Sequence, residues 1–329
     1  MSSKPRALIT GILGQDGHYL SELLLEKGYE VHGFIRRGSR RSPPAGVSYH
    51  EGDLTDPASL RQAIVDSEPS EIYNLGAQSH VGASFYEPEY TFAATALPIL
   101  TILQHLKEHA HHSAPVRVYQ ASSSEMFGDA PPPQNENSPF RPQSPYAVAK
   151  VAAHNFVGLY RKFGIFAVGG ILFNHESEFR PASFVTRKIT TGVAKIFAGE
   201  ADSITLGNLD AKRDWGFSGD YVDAMWRMLQ QSSPKDYVIA TGSTHSVREF
   251  VIAAFEAANG YTGQQLAWES FVRTSAHFHR PAEVPHLLGN PTRACAELGW
   301  APKVNFEGLV RMMVAADLAA LGLELRHAA

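Results

Sequence analysis

The sequence predicts an α/β fold in which a doubly wound parallel sheet is followed by a smaller C-terminal α/β region. Short apolar stretches alternate with stretches of helical length through the first half of the 329 residues. Parallel strands need crossover connections of that length, so we expect helices on both faces of one sheet. The alternation changes after Asn174. We therefore predict one domain over 1–174, with a returning segment near 214–243, and a second over 175–329.

Local signals place the individual elements. The helix after the first strand is expected to end at Gly28, because glycine is frequent at helix C-termini. Asp56 precedes Pro57, which predicts a capped helix start. A polar loop is expected over 175–184, and the apolar stretch over 236–242 is expected to return to the first sheet. The predicted strands cover 7–10, 30–35, 48–51, 71–77, 116–123, 167–174, 203–208 and 236–242, and the predicted helices cover 16–27, 56–66, 88–109, 145–163, 184–197, 218–231, 247–258, 291–298 and 306–320.

The composition argues against several classes of protein. With 29 Lys and Arg against 33 Asp and Glu, a nucleic-acid-binding surface is not expected. No apolar run reaches the length that crosses a membrane, so no membrane partner is predicted. The single cysteine, Cys295, excludes an intramolecular disulfide. Residues 1–6 lead into the first strand without a signal-peptide core, and we expect a cytoplasmic protein.

Glycines at three-residue steps join the first strand to the first helix, at Gly11, Gly14 and Gly17. Glycine lets the backbone turn tightly and approach a pyrophosphate, and a helix N-terminus offers N–H groups and a positive dipole end. The spacing is GxxGxxG rather than GxGxxG, and a turn without a ligand is the alternative. The position between strand and helix favours a dinucleotide site, which we extend to Gln15 and Asp16.

The end of the second predicted strand indicates which dinucleotide binds. An acidic residue there would hold the ribose 2′-hydroxyl of NAD, whereas an arginine accommodates the 2′-phosphate of NADP. This chain has Arg36 and Arg37 there, followed by Arg40 and Arg41. Guanidinium groups bind phosphate in pairs of hydrogen bonds, so we predict NADP, with a solvated basic loop as the alternative. Asp53, after the third strand, is placed to accept from the adenine amine.

A tyrosine and a lysine lie four residues apart near the start of a predicted helix. Tyr146 and Lys150 therefore share one helix face. A nearby ammonium favours the phenolate, so we expect Lys150 to lower the pKa of Tyr146 and Tyr146 to act as a general base. The pair is a weak signal alone, but it follows the predicted strand over 116–123 in a chain with a dinucleotide loop.

The stretch ASSSEMFG adds a hydroxyl and a carboxylate to this pair. Ser123 and Glu125 stand two residues apart at the end of the strand, and we expect both on the same face. Ser123 can share a proton with the tyrosine and a substrate alcohol. Oxidation of an alcohol needs no carboxylate, so Glu125 indicates a second acid–base step, such as removal of a proton α to a ketone and protonation of a leaving hydroxyl. A surface Glu that caps the following loop is the alternative.

These motifs together resemble those of the extended short-chain dehydrogenase/reductase superfamily, and more closely those of its GDP-mannose 4,6-dehydratase family. The resemblance covers nearly the whole chain, and its most specific blocks include GILFNHES and RDWGFSGDYV. It implies a Rossmann-type sheet domain, a tightly bound NADP and conversion of GDP-mannose to GDP-4-keto-6-deoxy-mannose by internal hydride transfer. It also implies that Tyr146 takes the O4 proton and Glu125 the C5 proton, before water leaves from C6.

The resemblance assigns further residues by matching positions. Arg213 and Arg280 suit the diphosphate of a sugar nucleotide by charge. The positions around the cofactor are Leu54, Leu75, Gly76, Ala77, Gln78, Ser79, His175 and Arg180, with Tyr146 and Lys150. The positions around the sugar nucleotide are Ser79, Ser123, Glu125, Asn174, Val185, Lys188, Gly207, Arg213, Arg248, Arg280 and Glu283.

The chain departs from the family pattern at three places. Ser123 stands where the family has Thr, which keeps a hydroxyl. The basic loop after the second strand, which helps to assemble a tetramer in the family, looks shorter and carries Pro43 and Pro44, so homodimer and homotetramer both stay open. Glu178 and Phe179 differ from the family residues near cofactor and sugar, which leaves another GDP-hexose or a GDP-heptose as substrate.

Other functions and sites also stay open. A sugar-nucleotide 4-epimerase would share the glycine loop, Tyr146 and Lys150 but would not need Glu125. A non-catalytic NADP-binding protein disagrees with the intact catalytic set. Metal binding by the cluster HAHHS at 109–113 is set against a solvated helix end, and no metal site is predicted. Trp215 is predicted to lie in the core.

Overall fold

The computed structural model describes residues 4–39, 41, 44–110, 115–275, 284 and 286–326. Helices separate most of the strands from β1 to β6, as the sequence predicts, whereas β2 and β3 follow each other without a helix. The strands are β1 (Arg6–Thr10), β2 (Glu30–Arg36), β3 (Val47–Gly52), β4 (Glu71–Asn74), β5 (Arg117–Ser123), β6 (Ala167–Leu172), β7 (Asn174–Glu176), β8 (Ile204–Leu206), β9 (Lys212–Arg213), β10 (Trp215–Phe217), β11 (Tyr237–Ile239), β12 (His245–Ser246) and β13 (Val272–Thr274). The helices are α1 (Gln15–Glu26), α2 (Pro57–Ser67), α3 (Val81–Ser84), α4 (Pro88–His109), α5 (Pro145–Arg161), α6 (Val185–Phe197), α7 (Ser218–Leu229), α8 (Val247–Thr262), α9 (Thr292–Leu298) and α10 (Phe306–Ala320).

A sheet of seven parallel strands, in the order β11-β6-β5-β4-β1-β2-β3, forms the centre of the protein. The strand order reverses between β1 and β4, because the chain leaves β3 at one edge and returns beside β1. In such sheets the ligand crevice lies at the carboxyl ends of the strands on either side of that reversal. The predicted Rossmann-type α/β fold is confirmed, and β11 joins the sheet beside β6 as expected.

Helices cover both faces of this sheet. On one face, Leu20 and Leu24 of α1 pack in a buried cluster with Tyr221 and Met225 of α7. On the other face α2, α4 and α5 enclose a second cluster that includes Ile102. Each of these helices therefore buries one apolar stripe against the sheet, as amphipathic helices in doubly wound folds do.

A separate core forms in the C-terminal half of the chain. Helices α6, α8 and α10 pack against one another, and their apolar faces surround Trp215, which is 2% exposed. The expectation that Trp215 is a core residue is confirmed. No helix in the described parts of the chain is long and apolar enough to cross a membrane.

The residues after β6 differ from the prediction. The sequence predicts a polar loop over 175–184, but the structure forms β7 at Asn174–Glu176, which pairs in parallel with β10. A strand of three residues is too short for a period to be visible in the sequence. The loop expectation was wrong for this strand, and the pairing brings the segment after β6 next to the start of α7.

Candidate active site

The glycine loop lies where the strand order reverses. Gly11 follows β1 with a φ of +73°, and a Cβ there would lie 2.8 Å from the backbone nitrogen of Gly76, just after β4. A Cβ at Gly17 would lie 2.4 Å from the Cα of Ile12. Gly14 is the N-cap of α1 and brings no side chain to cap the first turn. The loop thus has the tight turn, the close helix packing and the amide-rich helix start that a pyrophosphate site needs.

The first turn of α1 is fastened to the segment after β6. Gln15 Nε2 donates to the His175 carbonyl at 2.8 Å, and the Ser177 hydroxyl donates to Gln15 Oε1 at 3.1 Å. The Asp16 carboxylate lies 2.8 Å from His175 Nε2 and accepts from the Ser218 hydroxyl at 2.7 Å. Burial raises the pKa of Asp16 and lowers that of His175, but their ion pair outweighs both effects and reverses each shift.

Further along the segment after β6, Glu178 and Phe179, the two residues that depart from the family pattern, also contact α1. The Tyr19 hydroxyl lies 2.9 Å from each carboxylate oxygen of Glu178. The ring of Phe179 packs on His18, with 4.0 Å between ring centroids. Beside these contacts lies a cavity of about 670 Å³, lined by the glycine loop at 12–14 and by residues 178–182. Arg180, one of the predicted cofactor residues, lines this cavity and stacks on the ring of Phe184.

Arg36 and Arg37, at the end of β2, lie beside carboxylates of residues that follow β3. Arg36 donates to the Tyr90 hydroxyl at 3.0 Å, and its Nε lies 3.7 Å from Asp53. Arg37 donates to Asp56 at 2.9 Å. The carboxylate beside Arg36 is that of Asp53, which follows the neighbouring strand β3 and which the sequence predicts to accept from the adenine amine. Hydrogen bonds from Thr55 and the nearby Arg36 keep the pKa of Asp53 below its usual value.

Residues 75–79, predicted to line the cofactor, follow β4 on the opposite side of the glycine loop. The Gly76 N–H donates to the Thr10 hydroxyl at 3.0 Å, which ties this turn to the end of β1. Gly76 also faces Leu54, since a Cβ at Gly76 would lie 2.9 Å from Leu54 Cδ1. Gln78 donates to the Thr91 hydroxyl at 3.0 Å. The predicted residues that this turn carries are Leu75, Gly76, Ala77, Gln78 and Ser79.

Helix α5 carries the predicted base and its lysine at its buried start. The Ser144 hydroxyl caps the helix by accepting from the Ala147 N–H at 3.1 Å. Tyr146 is 8% exposed and Lys150 4% exposed. Lys150 Nζ donates to the Ala121 carbonyl of β5 at 2.7 Å and lies 5.7 Å from the Tyr146 ring centroid. The structure therefore brings the pair to the end of β5, as the sequence predicts.

Burial decides the direction in which the pKa of each member of this pair shifts. Burial raises the pKa of Tyr146 to about 12, although the hydrogen bond to Ser123 acts to lower it. Burial lowers the pKa of Lys150 to about 8. The net shift of the Tyr146 pKa is therefore upward, and the lowering expected from Lys150 stays a prediction. Loss of water around both groups dominates, and the ammonium is engaged by the Ala121 carbonyl.

The backbone conformation that places Ser123 and Glu125 differs from the predicted one. β5 ends at Ser123, and the chain turns at once into a 3-10 turn over Ser124–Met126. The expectation that both side chains share one face of an extended strand was therefore wrong. The Ser123 hydroxyl accepts from the Glu125 N–H at 3.2 Å, and Glu125 is buried. Its charge is close enough to Tyr146 to raise the phenol pKa.

The predicted sugar-nucleotide residues lie mainly on the C-terminal elements. Arg213, on β9, is buried, whereas Arg248, at the start of α8, is half-buried and pairs with Asp210 at 3.0 Å. Burial lowers the pKa of Lys188 on α6. Asn174 begins β7, Val185 begins α6, and Gly207 follows β8. Arg40, Arg280 and Glu283 lie outside the described residues.

Sequence reasoning missed Asp214, which lies between two residues that it singled out. The Asp214 carboxylate is fully buried and accepts from the backbone N–H groups of Thr241, Gly242 and Gly289 at 2.8, 3.0 and 3.2 Å. It therefore holds two loops beside Arg213. The sequence shows an aspartate between Arg213 and Trp215. It does not show that this aspartate is buried, because its hydrogen-bond partners are distant along the chain.

The described residues hold no group of three or more His, Cys, Asp or Glu side chains arranged to bind a metal ion. Within the cluster HAHHS, the His109 ring bonds to the His105 carbonyl at 2.8 Å. His111 and His112 lie outside the described residues.

Solved structures of other proteins share this fold. The UDP-glucose 4-epimerase of Thermus thermophilus, solved with NAD, matches with a TM-score of 0.82 and 26% identity, over 96% of this chain and 99% of that one. RMD from Pseudomonas aeruginosa, solved with NADPH, matches with a TM-score of 0.79 and 23% identity, over 96% of this chain and all of that one. The fold thus defines a Rossmann-type protein of the short-chain dehydrogenase/reductase class.

The sequence comparison narrows this class to one family. The profile of the family described as GDP-mannose 4,6 dehydratase matches residues 8–313. GDP-mannose 4,6 dehydratase 1 of Arabidopsis thaliana is 49% identical over 96% of this chain and 91% of its own length. The human GDP-mannose 4,6 dehydratase is 47% identical over 96% of this chain and 92% of its own length. The chain belongs to the GDP-mannose 4,6-dehydratase family and is an enzyme of the hydro-lyase type.

Proposed function

We propose that this chain converts GDP-mannose to GDP-4-keto-6-deoxy-mannose, with loss of one water. The observation that carries this proposal is the buried Glu125, held beside Ser123 and Tyr146 where β5 ends. Oxidation and reduction at C4 alone need the hydroxyl, phenol and ammonium groups, whereas elimination of water needs a further acid–base group. Relatives that are 44–50% identical and named GDP-mannose 4,6-dehydratase support the same substrate.

The loop between β1 and α1 fits a dinucleotide. Gly11 leaves no room for a Cβ, and the start of α1 offers backbone N–H groups to a pyrophosphate. Arg36 and Arg37 at the end of β2 favour NADP, because a guanidinium binds the 2′-phosphate that NAD lacks. The chemistry that bound NADP supplies is hydride transfer, first from C4 of the sugar and then back at C6.

The residues of the chain move the protons. Tyr146 removes the O4 proton, and Ser123 donates a hydrogen bond that stabilises the phenolate. The resulting C4 ketone acidifies the C5 hydrogen. Glu125 removes that hydrogen as a proton and protonates the C6 hydroxyl, which leaves as water. Lys150, fixed by the Ala121 carbonyl, places a positive group behind Tyr146. When hydride returns to C6, C5 takes up one proton, which balances the proton that Tyr146 removed from O4, so the product equals the substrate minus one water.

A mass measurement tests this reaction. We expect purified protein with bound NADP to convert GDP-mannose to a product lighter by one water, without added reductant. A new stereoisomer of unchanged mass would instead indicate a 4-epimerase. Glu125→Gln is expected to lower dehydration at least about a hundredfold, because a positioned acid–base group contributes that much or more. Turnover unaffected by Glu125→Gln would contradict the role given to this carboxylate.

We also propose a division of the chain into domains, a homo-oligomeric state and a cellular compartment for the enzyme. The segments 1–174 and 214–243 hold the cofactor, and the rest of 175–329 contributes most of the sugar-nucleotide site. Exposed apolar side chains on α4 and α5, among them Phe92, Val148 and Leu159, support a homo-oligomer. The single, exposed Cys295 suits a reducing compartment such as the cytoplasm.

A further inference from the structure

A second polar cluster joins β5 to α5 behind the residues proposed to act on substrate. Its centre is His154, which lies on α5 one turn after Lys150 and two turns after Tyr146. His154 Nδ1 lies 2.9 Å from the hydroxyl of Ser122, a hydrogen-bonding distance. Ser122 is the residue before Ser123 on β5, so the two serines face opposite sides of the strand. One hydrogen bond therefore links the backbone that carries Ser123 to the helix that carries Tyr146.

Charged groups hold the other side of this histidine. His154 Nε2 lies 3.7 Å from Asp236, which pairs with Arg161 and accepts from the Gly169 N–H at 2.6 Å. Burial lowers the pKa of His154, and Arg161 lowers it further, while Asp236 raises it; the balance favours a neutral ring. Glu136 and Lys162 line the same side of the cluster.

The strand β6 is shaped around this cluster. A Cβ at Gly169 would lie 2.7 Å from His154 Nδ1 and 2.9 Å from the Asp236 carboxylate. Any other residue at 169 would therefore push the ring away from Ser122. The ring of Phe140 closes the far side, edge-on to His154 with 5.3 Å between centroids. The imidazole is thus held by strand, loop and helix together, and its side chain is 11% exposed.

A Ser-His-Asp set suggests a nucleophile at first sight, but the geometry argues against it. Ser122 is 3% exposed, so a substrate carbonyl cannot reach its hydroxyl. The separation of 3.7 Å between His154 and Asp236 is longer than the hydrogen bond that orients a catalytic imidazole. A cavity of about 400 Å³ reaches His154 and Asp236 from the outer face of α5, but Ser122 does not line it.

We propose that His154 is a positioning residue, which through Ser122 fixes the distance between the Ser123 hydroxyl and the Tyr146 phenol. The inference rests on the proposed function, in which that contact stabilises the phenolate. Tyr146 needs the contact, because burial raises its pKa to about 12 and Ser123 acts in the opposite direction. A shift of about 1 Å between reacting groups can cost a hundredfold in rate.

Two substitutions of His154 separate the two sides of the ring. The amide of Asn occupies the place of Nδ1 and can still bond to Ser122, whereas the amide of Gln reaches the place of Nε2, toward Asp236. We expect His154→Asn to keep kcat within about twofold. We expect His154→Gln and Ser122→Ala to lower kcat about tenfold with little change in KM. The double variant Ser122→Ala with His154→Gln should lose no more than either alone, because both break one bond.

Asn155→Ala is the matched control, since Asn155 lines the same outer cavity and lies beside His154 on α5. It should leave kcat and KM unchanged. The thermal unfolding midpoint is measured for every variant. The kcat values of His154→Asn and His154→Gln are compared when the two variants have similar midpoints. Equal kcat for these two variants would overturn the inference. If His154→Gln fails to fold, Ser122→Ala decides alone, and wild-type kcat for that variant would overturn the inference.

A crystal structure of Ser122→Ala supplies a readout that needs no turnover. We expect the Ser123 Oγ to Tyr146 Oη distance to lengthen beyond hydrogen-bond reach, and an unchanged distance would overturn the inference. Wild-type activity on GDP-mannose is recorded in the same series. Its absence would contradict the proposed function alone, because the distance still decides the role of His154.

Discussion

Tyr146 lies in the protein with its pKa raised to about 12, and the cause is burial. The sequence could predict its neighbours, because Lys150 lies four residues further on one helix and Ser123 ends the preceding strand. It could not predict the loss of water around them, which depends on residues distant along the chain. It also could not predict that the Ala121 carbonyl takes a hydrogen bond from Lys150. Spacing alone therefore indicated which of these residues lie together, but it did not indicate that burial raises the pKa of Tyr146.

Arg36 tests the choice of dinucleotide at the scale of one residue. Its guanidinium lies between the Tyr90 hydroxyl and Asp53, at the end of β2. We expect Arg36→Asp to weaken NADP binding by about tenfold or more relative to NAD, since a charge-assisted hydrogen bond contributes about 1.5–3 kcal/mol. Isothermal titration calorimetry with both dinucleotides measures the ratio.

Arg61→Asp is the control for this substitution, because Arg61 is an exposed residue of α2 and the change in charge is the same. It should leave the ratio of the two affinities unchanged. An unchanged ratio in Arg36→Asp, or equal affinities for NAD and NADP in the parent protein, would mean that this arginine does not hold the 2′-phosphate.

The pair formed by Asp16 and His175 predicts how stability depends on pH. The pKa of His175 lies above its ordinary 6.5 in the folded protein, so its contribution is complete below pH 6.5 and is lost as the pH rises through the folded value. The pKa of Asp16 lies below 3.8, so its contribution is lost only in acid. We expect the free energy of unfolding to fall between about pH 6 and about pH 9.

Urea denaturation at the two pH values measures this fall. His175→Gln should lower the free energy of unfolding by about 3 kcal/mol near pH 6, because it removes the ion-pair partner of the largely buried Asp16 carboxylate. It should also remove most of the difference between the two pH values. A pH dependence that is the same in the parent protein and in His175→Gln would show that other groups cause it.

Among the secondary-structure elements, the sequence predicted the long helices and the helix whose N-cap residue is visible in the sequence. α4 and α10 have the predicted bounds, and Asp56 caps α2 by accepting from the N–H groups of Ala58 and Ser59 at 3.1 and 3.4 Å. The missed elements are short. β7, β9, β10 and β12 each have two or three residues and form through pairing with distant segments, so no local period marks them.

The segment from His175 to Phe179 is the element whose role the sequence could least predict. Glu178 and Phe179 suggested a change in substrate, because they depart from the family pattern near the sugar and the cofactor. In the structure they face α1, where Glu178 meets Tyr19 and Phe179 meets His18. Together with the contacts of Gln15 and Asp16, they fasten the segment along the first turns of α1. The departure is therefore explained by packing beside the cavity that residues 12–14 and 178–182 line.

At the scale of the whole molecule, the outer faces of α4 and α5 predict self-association. Val148 is 49% exposed and Leu159 is 45% exposed, although both are apolar and lie on one helix. We expect the parent protein to sediment as a dimer or tetramer, and Leu159→Asp to shift it towards monomer, because a buried unpaired charge is costly. Analytical ultracentrifugation measures both.

Val65→Asp is the matched control, since Val65 is an apolar residue on α2 that is 55% exposed. It should leave the sedimentation of the protein unchanged. A parent protein that sediments as a monomer at micromolar concentration would contradict the proposed homo-oligomer.

In the proposed reaction, one molecule of GDP-mannose loses water while its own C4 hydrogen moves to C6. A single isotope experiment follows both events, with GDP-mannose that carries deuterium at C4 and an equal amount that carries carbon-13 throughout the sugar. We expect a product lighter by one water, with deuterium in the C6 methyl group and never in the carbon-13 molecules. Deuterium lost to solvent, deuterium in the carbon-13 product, or a product that keeps its water would mean that the hydrogen does not pass from C4 to C6 within one molecule as water is lost.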